Sequence, residues 1–395
     1  MQGAPVRVVG ILGAAQTLAW ASSYYLPAML ADPMARDLGV SAPTVYAAFS
    51  AAMVASALVG PWAGQAIDRR GGRTVLAATS LLFAIGLGML GSARGLWSMV
   101  AAWLVIGVAM GAGLYEAAFS SLVRLYGHHA RGAITGITLI AGFASTVGWP
   151  LSAWMEARFG WRGACLGWAL VHLLIGLPLN AWLPRAPAAA KAANPDSADA
   201  GCAGASPAGD PGRQWRATVL LAFVFAATWF ISTAMATHLP RMLETAGTTL
   251  AAAVAVGALI GPAQVAGRLL EFGLLRRVHP LLSARLAALA HPAGATLLLL
   301  AGPAMAPAFA ILHGAGNGIL TIAKGTLPLA LFGPQGYGAR QGWLMMPARV
   351  AQALAPFLFG LALDTWGADA LWLSGALGLA ACAALLVLRA RPAAN

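Results

Sequence analysis

The chain is a succession of apolar runs about 20 residues long, parted by short polar turns. A run of that length is at home only in a bilayer. There, every backbone N–H and C=O must be satisfied internally, which leaves helices or a closed barrel. The alternating ten-residue pattern of a membrane barrel is absent, so the chain reads as all-α and polytopic. Composition agrees: 59% of the 395 residues are hydrophobic and 9% are charged, against about 45–50% and about 25% in soluble domains. So few charges cannot wet a soluble surface, which excludes a cytosolic enzyme, a secreted disulfide domain and a disordered chain. The three cysteines, Cys165, Cys202 and Cys382, have neither metal-ligand nor disulfide-framework spacing, and no metal or cofactor is expected. The net charge of +12 comes from short basic clusters between apolar runs, so no nucleic-acid surface is implied. Forty-seven glycines in an alanine-rich background suit helices packed closely in lipid.

Twelve spans are predicted, at roughly 8–30, 43–66, 74–92, 96–119, 132–155, 162–183, 216–238, 248–272, 281–301, 305–331, 341–363 and 368–388. The first could be a signal peptide cleaved near Ala19-Trp20-Ala21, but its apolar character continues to Leu30, which favours a retained helix. Cytoplasmic loops carry the excess of Lys and Arg. With both termini inside, sixteen basic residues fall in inner segments and five in outer ones, which places the chain in the cell membrane with cytoplasmic termini. Residues 184–214, rich in Ala, Pro, Gly and Ser, read as a flexible cytoplasmic linker. The linker divides the chain into 1–183 and 215–395, six spans each, a plan that suggests two repeats with a site between them.

After the second span comes Gly64-Gln65-Ala66-Ile67-Asp68-Arg69-Arg70-Gly71-Gly72-Arg73. This segment resembles the G-x-x-x-D-R-x-G-R-R signature of the major facilitator superfamily, with Gly72 in place of the usual first basic residue. The resemblance, with the twelve-span plan, covers essentially the whole chain. It implies two pseudo-symmetric six-helix bundles and alternating access. Gly64 would permit close helix packing, Asp68 would pair with basic residues across the half-to-half interface, and Arg69, Gly71 and Arg73 would complete a gating motif. The matching loop of the second half, Gly267-Arg268-Leu269-Leu270-Glu271-Phe272-Gly273 followed by Arg276-Arg277, lacks the Asp-Arg core.

Helix 4 has no Arg ahead of Gly107 and Gly111, and helix 5 lacks the Gly-Pro pair of the superfamily's drug/proton antiporters. Gly160-Trp161-Arg162-Gly163, His238-Leu239 and the Gln264 to Arg268 stretch are instead similar to the monocarboxylate and oxalate/formate branch. That resemblance implies that Arg268 contacts a substrate carboxylate, with Arg349 as a basic counterpart in helix 11. Gln264 stands where the branch has an acidic residue.

An ionisable residue inside a span is costly and faces a cavity or a partner. Glu116, Arg268, Lys324 and Arg349 lie three to eight residues from the inner end of a span, roughly 5–12 Å deep. Three positive charges against one negative favour an anionic ligand. Around them, His313, Asn317, Thr321 and Lys324 form a polar stripe on helix 10, joined by Gln264 on helix 8 and Tyr24 on helix 1. Blander roles stay open for each. Arg268 could snorkel to headgroups or pair with Glu271, Glu116 could couple protons or merely neutralise Lys324 or Arg349, and His313 could titrate or simply bond a neighbour. His172 and His291, on helices 6 and 9, read as packing residues.

The expectation is a monomeric secondary transporter of a small organic anion such as a carboxylate, with a coupling ion for which a proton is a candidate. Arg268, Lys324, Arg349, Gln264, His313, Asn317 and Tyr24 would bind the solute, with Glu116 as coupling residue or charge partner. An exporter of uncharged or cationic compounds is the alternative. A membrane-embedded enzyme or sensor is a distant one, because no catalytic cluster, nucleotide loop or soluble domain is visible.

Overall fold

A computed structural model describes residues 6–185 and 211–388; most of the linker predicted at 184–214 lies outside the described residues. The N-terminal half comprises α1 (Val6–Ala21), α2 (Pro27–Leu38), α3 (Ala42–Arg70), α4 (Gly72–Gly91), α5 (Leu96–Gly113), α6 (Tyr115–Tyr126), α7 (Arg131–Ala141), α8 (Ala144–Val171) and α9 (Leu177–Ala181). The C-terminal half comprises α10 (Pro211–Thr245), α11 (Leu250–Ala258), α12 (Ile260–Gly273), α13 (Pro280–Ala301), α14 (Ala306–Phe332), α15 (Tyr337–Trp366) and α16 (Ala370–Val387). No strand occurs among the described residues. Among the described residues eight helical runs are long and apolar enough to cross a membrane; the runs 96–181 and 337–387 hold three and two predicted spans, and the shorter apolar helix Val6–Ala21 covers the first. The twelve predicted spans are thus accounted for. One boundary moves, because α10 starts at Pro211 and takes up the last residues assigned to the linker.

Several predicted spans break or merge. The first ends at Ala21, where the hydroxyls of Ser22 and Ser23 donate to the carbonyls of Leu18 and Ala19 and Pro27 starts a new helix. The fourth is interrupted at Leu114, whose extended backbone puts Glu116 in the first turn of α6. The fifth and sixth form one merged helix bent at Gly160, where φ is 69°.

Small residues set the packing, and they do so twice. In the N-terminal half Gly107 and Gly111 of α5 lie on the backbone of Ala52 and Ser56 of α3, so close that a Cβ at either position would collide. In the C-terminal half Gly314 and Gly318 of α14 lie in the same way on Ile260 and Gln264 of α12. Both pairs have the i, i+4 spacing that puts small residues on one helix face.

A third such crossing joins the halves. Gly60 and Gly64 of α3 meet Gly342 and Gly338 of α15, and a Cβ on Gly64 would overlap the Gly338 carbonyl. A Cβ on Gly342 would stand 2.5 Å from Pro61 Cα. Backbone-to-backbone approach is what seals this end of the molecule. Gly64→Leu should therefore part the halves here, lengthening the distance between spin labels at exposed Arg70 and Gln335 by about 2 Å or more. An unchanged distance in a well-folded variant would show that the crossing does not hold the end shut.

Candidate functional site

The sealed end is held by two clamps of related design. Asp68, at the end of α3, accepts hydrogen bonds from the backbone N–H groups of Gly338 and Ala339, both at 2.9 Å. These N–H groups open α15, so the carboxylate sits on the positive end of a helix dipole in the other half. The expected pairing of Asp68 with basic side chains is replaced by this backbone contact, because glycine at 338 lets the carboxylate reach the helix end. Arg69 is exposed, Arg73 is half-buried, and neither makes a hydrogen bond among the described residues. Gly71 separates α3 from α4 with φ 81°, a conformation glycine adopts without strain. Gly72 lies on the Ser121 side chain, and a Cβ there would overlap its hydroxyl. That contact explains the missing basic residue of the motif.

The second clamp runs the other way. Arg131, first residue of α7, donates to Glu271 Oε1 at 3.0 Å, to the Val278 carbonyl at 2.9 Å and to the Leu275 carbonyl at 3.3 Å. Glu271 is thus the partner of Arg131, not of its neighbour Arg268. Gly267 and Glu271 repeat the four-residue spacing of Gly64 and Asp68, so the second-half motif survives as Gly-x-x-x-Glu. At the opposite end the ion pairs stay within a half. Arg162 pairs with Asp37 in the first and holds its carboxyl below the usual carboxylate range; Arg241 pairs with Asp364 at 2.5 Å in the second.

Between the two ends lies the layer of intramembrane charges. Arg349 of α15 donates to Glu116 Oε2 at 2.8 Å, across the halves, and to Gln352 Oε1 at 3.3 Å. Lys324 of α14 is 4% exposed and within coulombic reach of Glu116, Arg349 and Arg268. Its Nζ has no hydrogen-bond partner among the described residues and lies 3.7 Å from the centroid of the Trp229 ring. Arg268, 6% exposed, sets its guanidinium against Gly142, at the break between α7 and α8, and its Nε also lacks a partner.

Aromatic rings wall this layer. Trp20 of α1 and Trp229 of α10 are nearly parallel, 10° apart in tilt, with centroids 6.4 Å apart. Arg349 Cζ lies 5.9 Å from the first ring and 5.7 Å from the second. Tyr115 packs on Trp20 at 4.9 Å, and Tyr24 does so edge-on at 5.3 Å. Both indole N–H groups are buried without partners among the described residues. The sequence reading passed over Trp20 and Trp229. The available signal was their place in the middle of a span, away from the interfaces where tryptophan ordinarily anchors.

Of the remaining expected site residues, Gln264 lies one turn before Arg268 on α12, whereas His313 and Asn317 lie farther off. Gln264 is half-buried, with its carbonyl under Gly318. His313 and Asn317 line a cleft inside the C-terminal half, and His313 stands about 16 Å along α14 from Lys324. His313 is hydrogen-bonded to His291, which is therefore no mere packing residue. His172, by contrast, stacks on Phe83 and bonds Ser22 inside the N-terminal half.

The sequence profile of the Major Facilitator Superfamily matches residues 12–309. The chain belongs to this superfamily. Solved superfamily transporters share its fold. The proton:xylose symporter XylE superposes with a TM-score of 0.73 at 12% identity, covering 96% of this chain and 94% of that one. The E. coli fucose:proton symporter FucP does so with a TM-score of 0.71 at 14% identity, covering 96% and 97%. The human organic anion transporter MFSD10 gives 0.65 at 16% identity, covering 97% and 100%. In sequence, an uncharacterised 38 kDa protein in the 23S RNA operon of Thermoproteus tenax is 29% identical over 365 residues, 91% of this chain and 89% of its own. The protein is accordingly a multi-pass membrane transporter of this superfamily, not an enzyme.

In this transporter Arg349 is buried and Glu116 partly so, and each side chain of the pair stabilises the other. Glu116→Gln should lower stability by about 3 kcal/mol in detergent, and Glu116→Gln with Arg349→Gln should recover most of that loss. A double-variant loss equal to the sum of the two single-variant losses would show that the two side chains are not coupled.

Proposed function

We propose that this transporter moves a small organic anion, a carboxylate in the first instance, by alternating access between the two halves. The observation that carries the reading is the set of donors in the charge layer. Lys324 Nζ, Arg268 Nε and the indole N–H groups of Trp20 and Trp229 are all buried and lack acceptors among the described residues. A buried donor left unpaired costs free energy, and a buried cation costs more. An anion brings the acceptors that these donors lack. Glu116 neutralises Arg349, so the excess positive charge belongs to Lys324 and Arg268.

Arg268, Lys324 and Arg349 are the binding cations in this reading, and Tyr24 sets the shape of the layer through Trp20. Asp68 and Glu271 gate the sealed end. The excess of Lys and Arg on that side supports its facing the cytoplasm, with both termini there. The donor set supports an anion over the exporter of uncharged or cationic compounds. The resemblance to the monocarboxylate and oxalate/formate branch names carboxylates as the first class to test. The proton symporters XylE and FucP suggest a proton as the coupling ion, and one chain supplies both halves of the layer, which supports a monomeric unit.

The test is uptake of a panel of radiolabelled mono- and dicarboxylates into proteoliposomes. Lys324→Gln and Arg268→Gln should each raise the half-saturating concentration of the transported anion by about 10- to 100-fold, the worth of a charge-assisted hydrogen bond. Wild-type affinity for every transported carboxylate in both variants would refute the anion reading.

A further inference from the structure

The C-terminal half contains a second polar site that anion binding does not use. His291 of α13 and His313 of α14 face each other through their Nδ1 atoms at 3.0 Å. His291 Nε2 lies 3.1 Å from Ser374 Oγ of α16, which in turn donates to the Leu371 carbonyl at 3.0 Å. All three side chains are buried. Hydrogen bookkeeping then assigns the tautomers. With its own hydrogen on Leu371, Ser374 accepts from His291 Nε2–H. A neutral His291 therefore presents a bare Nδ1, and His313 Nδ1–H donates to it. The basic nitrogen left over is His313 Nε2, which has no hydrogen-bond partner among the described residues.

This array borders a small cleft of ≈ 20 Å³ between α10, α13, α14 and α16, with Thr228 and Asn317 as its other polar side chains. The cleft is mostly apolar, but beside these polar side chains it has room for about one ordered water. Among the described residues no carboxylate, cation or thiol lines it. The nearby charged and thiol groups of α13 and α16 are engaged elsewhere: Arg285 donates to the carbonyls of Leu385, Leu386 and Leu388, and Cys382 Sγ to that of Arg285. Phe309 stacks on His313 with ring centroids 5.9 Å apart.

We propose that His291, His313 and Ser374 form a one-proton site that loads the coupling ion of this transporter. A proton from water in the cleft bonds to the lone pair of His313 Nε2. The resulting imidazolium still donates through Nδ1 to His291, so no hydrogen bond is lost. A second proton has no place, since it would set N–H against N–H across 3.0 Å. Release returns the proton from Nε2 to water.

The site is wired to the charge layer by two helices. On α10, Thr228 borders the cleft and its neighbour Trp229 stacks under Lys324. On α14, His313, Asn317, Thr321 and Lys324 succeed one another at helical spacing, and Thr321 donates back to the Asn317 carbonyl. A proton on the array and an anion on Lys324 thus load the same pair of helices, and their charges offset.

This proposal rests on the transport reading, and two arms separate them. The first uses the full chain with 15N-labelled histidine in nanodiscs, titrated from about pH 8 to about pH 4. His313 should carry its hydrogen on Nδ1 at the start and gain one proton on Nε2. A His313 that stays neutral throughout, or that begins with its hydrogen on Nε2, would overturn the proposal. The second arm is carboxylate accumulation in proteoliposomes driven by an inward proton gradient. His313→Gln should cut accumulation about tenfold or more while keeping solute-for-solute exchange. Undiminished accumulation in His313→Gln would overturn the proton site and leave the transport reading intact. A wild type that moves no carboxylate would contradict the transport reading, with the titration still deciding the proton site.

Discussion

The seam between α3 and α15 is the contact on which the rest of this structure depends. Gly60 and Gly64 bring the two helix backbones together against Gly342 and Gly338. Only at that separation can the Asp68 carboxylate reach the first N–H groups of α15. With α15 fixed there, Tyr337 donates to the Gly325 carbonyl and Gln341 to that of Lys324, which sets the height of α14 against α15. The same placement brings Arg349 to Glu116. Remove the glycines and the charge layer loses its alignment.

That seam is also a natural element for a two-state machine. At this end it is closed by backbone groups and one carboxylate, contacts that can be broken and remade. Arg131 and Glu271 do the same work on the opposite flank. The ion pairs Arg162–Asp37 and Arg241–Asp364 tie helices inside each half and travel with them. Rigid halves and polar clamps are the combination that rocking between two states requires.

Much of this was legible in the sequence, because lipid leaves few options. Apolar run lengths gave the spans, and Gly64-x-x-x-Asp68 marked the seam. Glu116, Arg268, Lys324 and Arg349 stood out because a charge in a span needs a reason. The helix breaks were harder, since Leu114, where the fourth span is interrupted, carries no breaker signal. The second clamp was missed because Glu271 replaces Asp and its partner Arg131 lies 140 residues away in sequence. His291 looked like packing because its partners, His313 and Ser374, sit on other helices. Pairings between helices have no periodicity to read.

The central claim is that the layer of Lys324, Arg268 and the two indoles recognises negative charge. The most direct measurement compares the thermal stability of the purified wild type with a series of carboxylates and their isosteric amides. Specific anion recognition predicts that a carboxylate raises the melting temperature, that its amide does not, and that Lys324→Gln abolishes the difference. Equal stabilisation by carboxylate and amide in the wild type would contradict it.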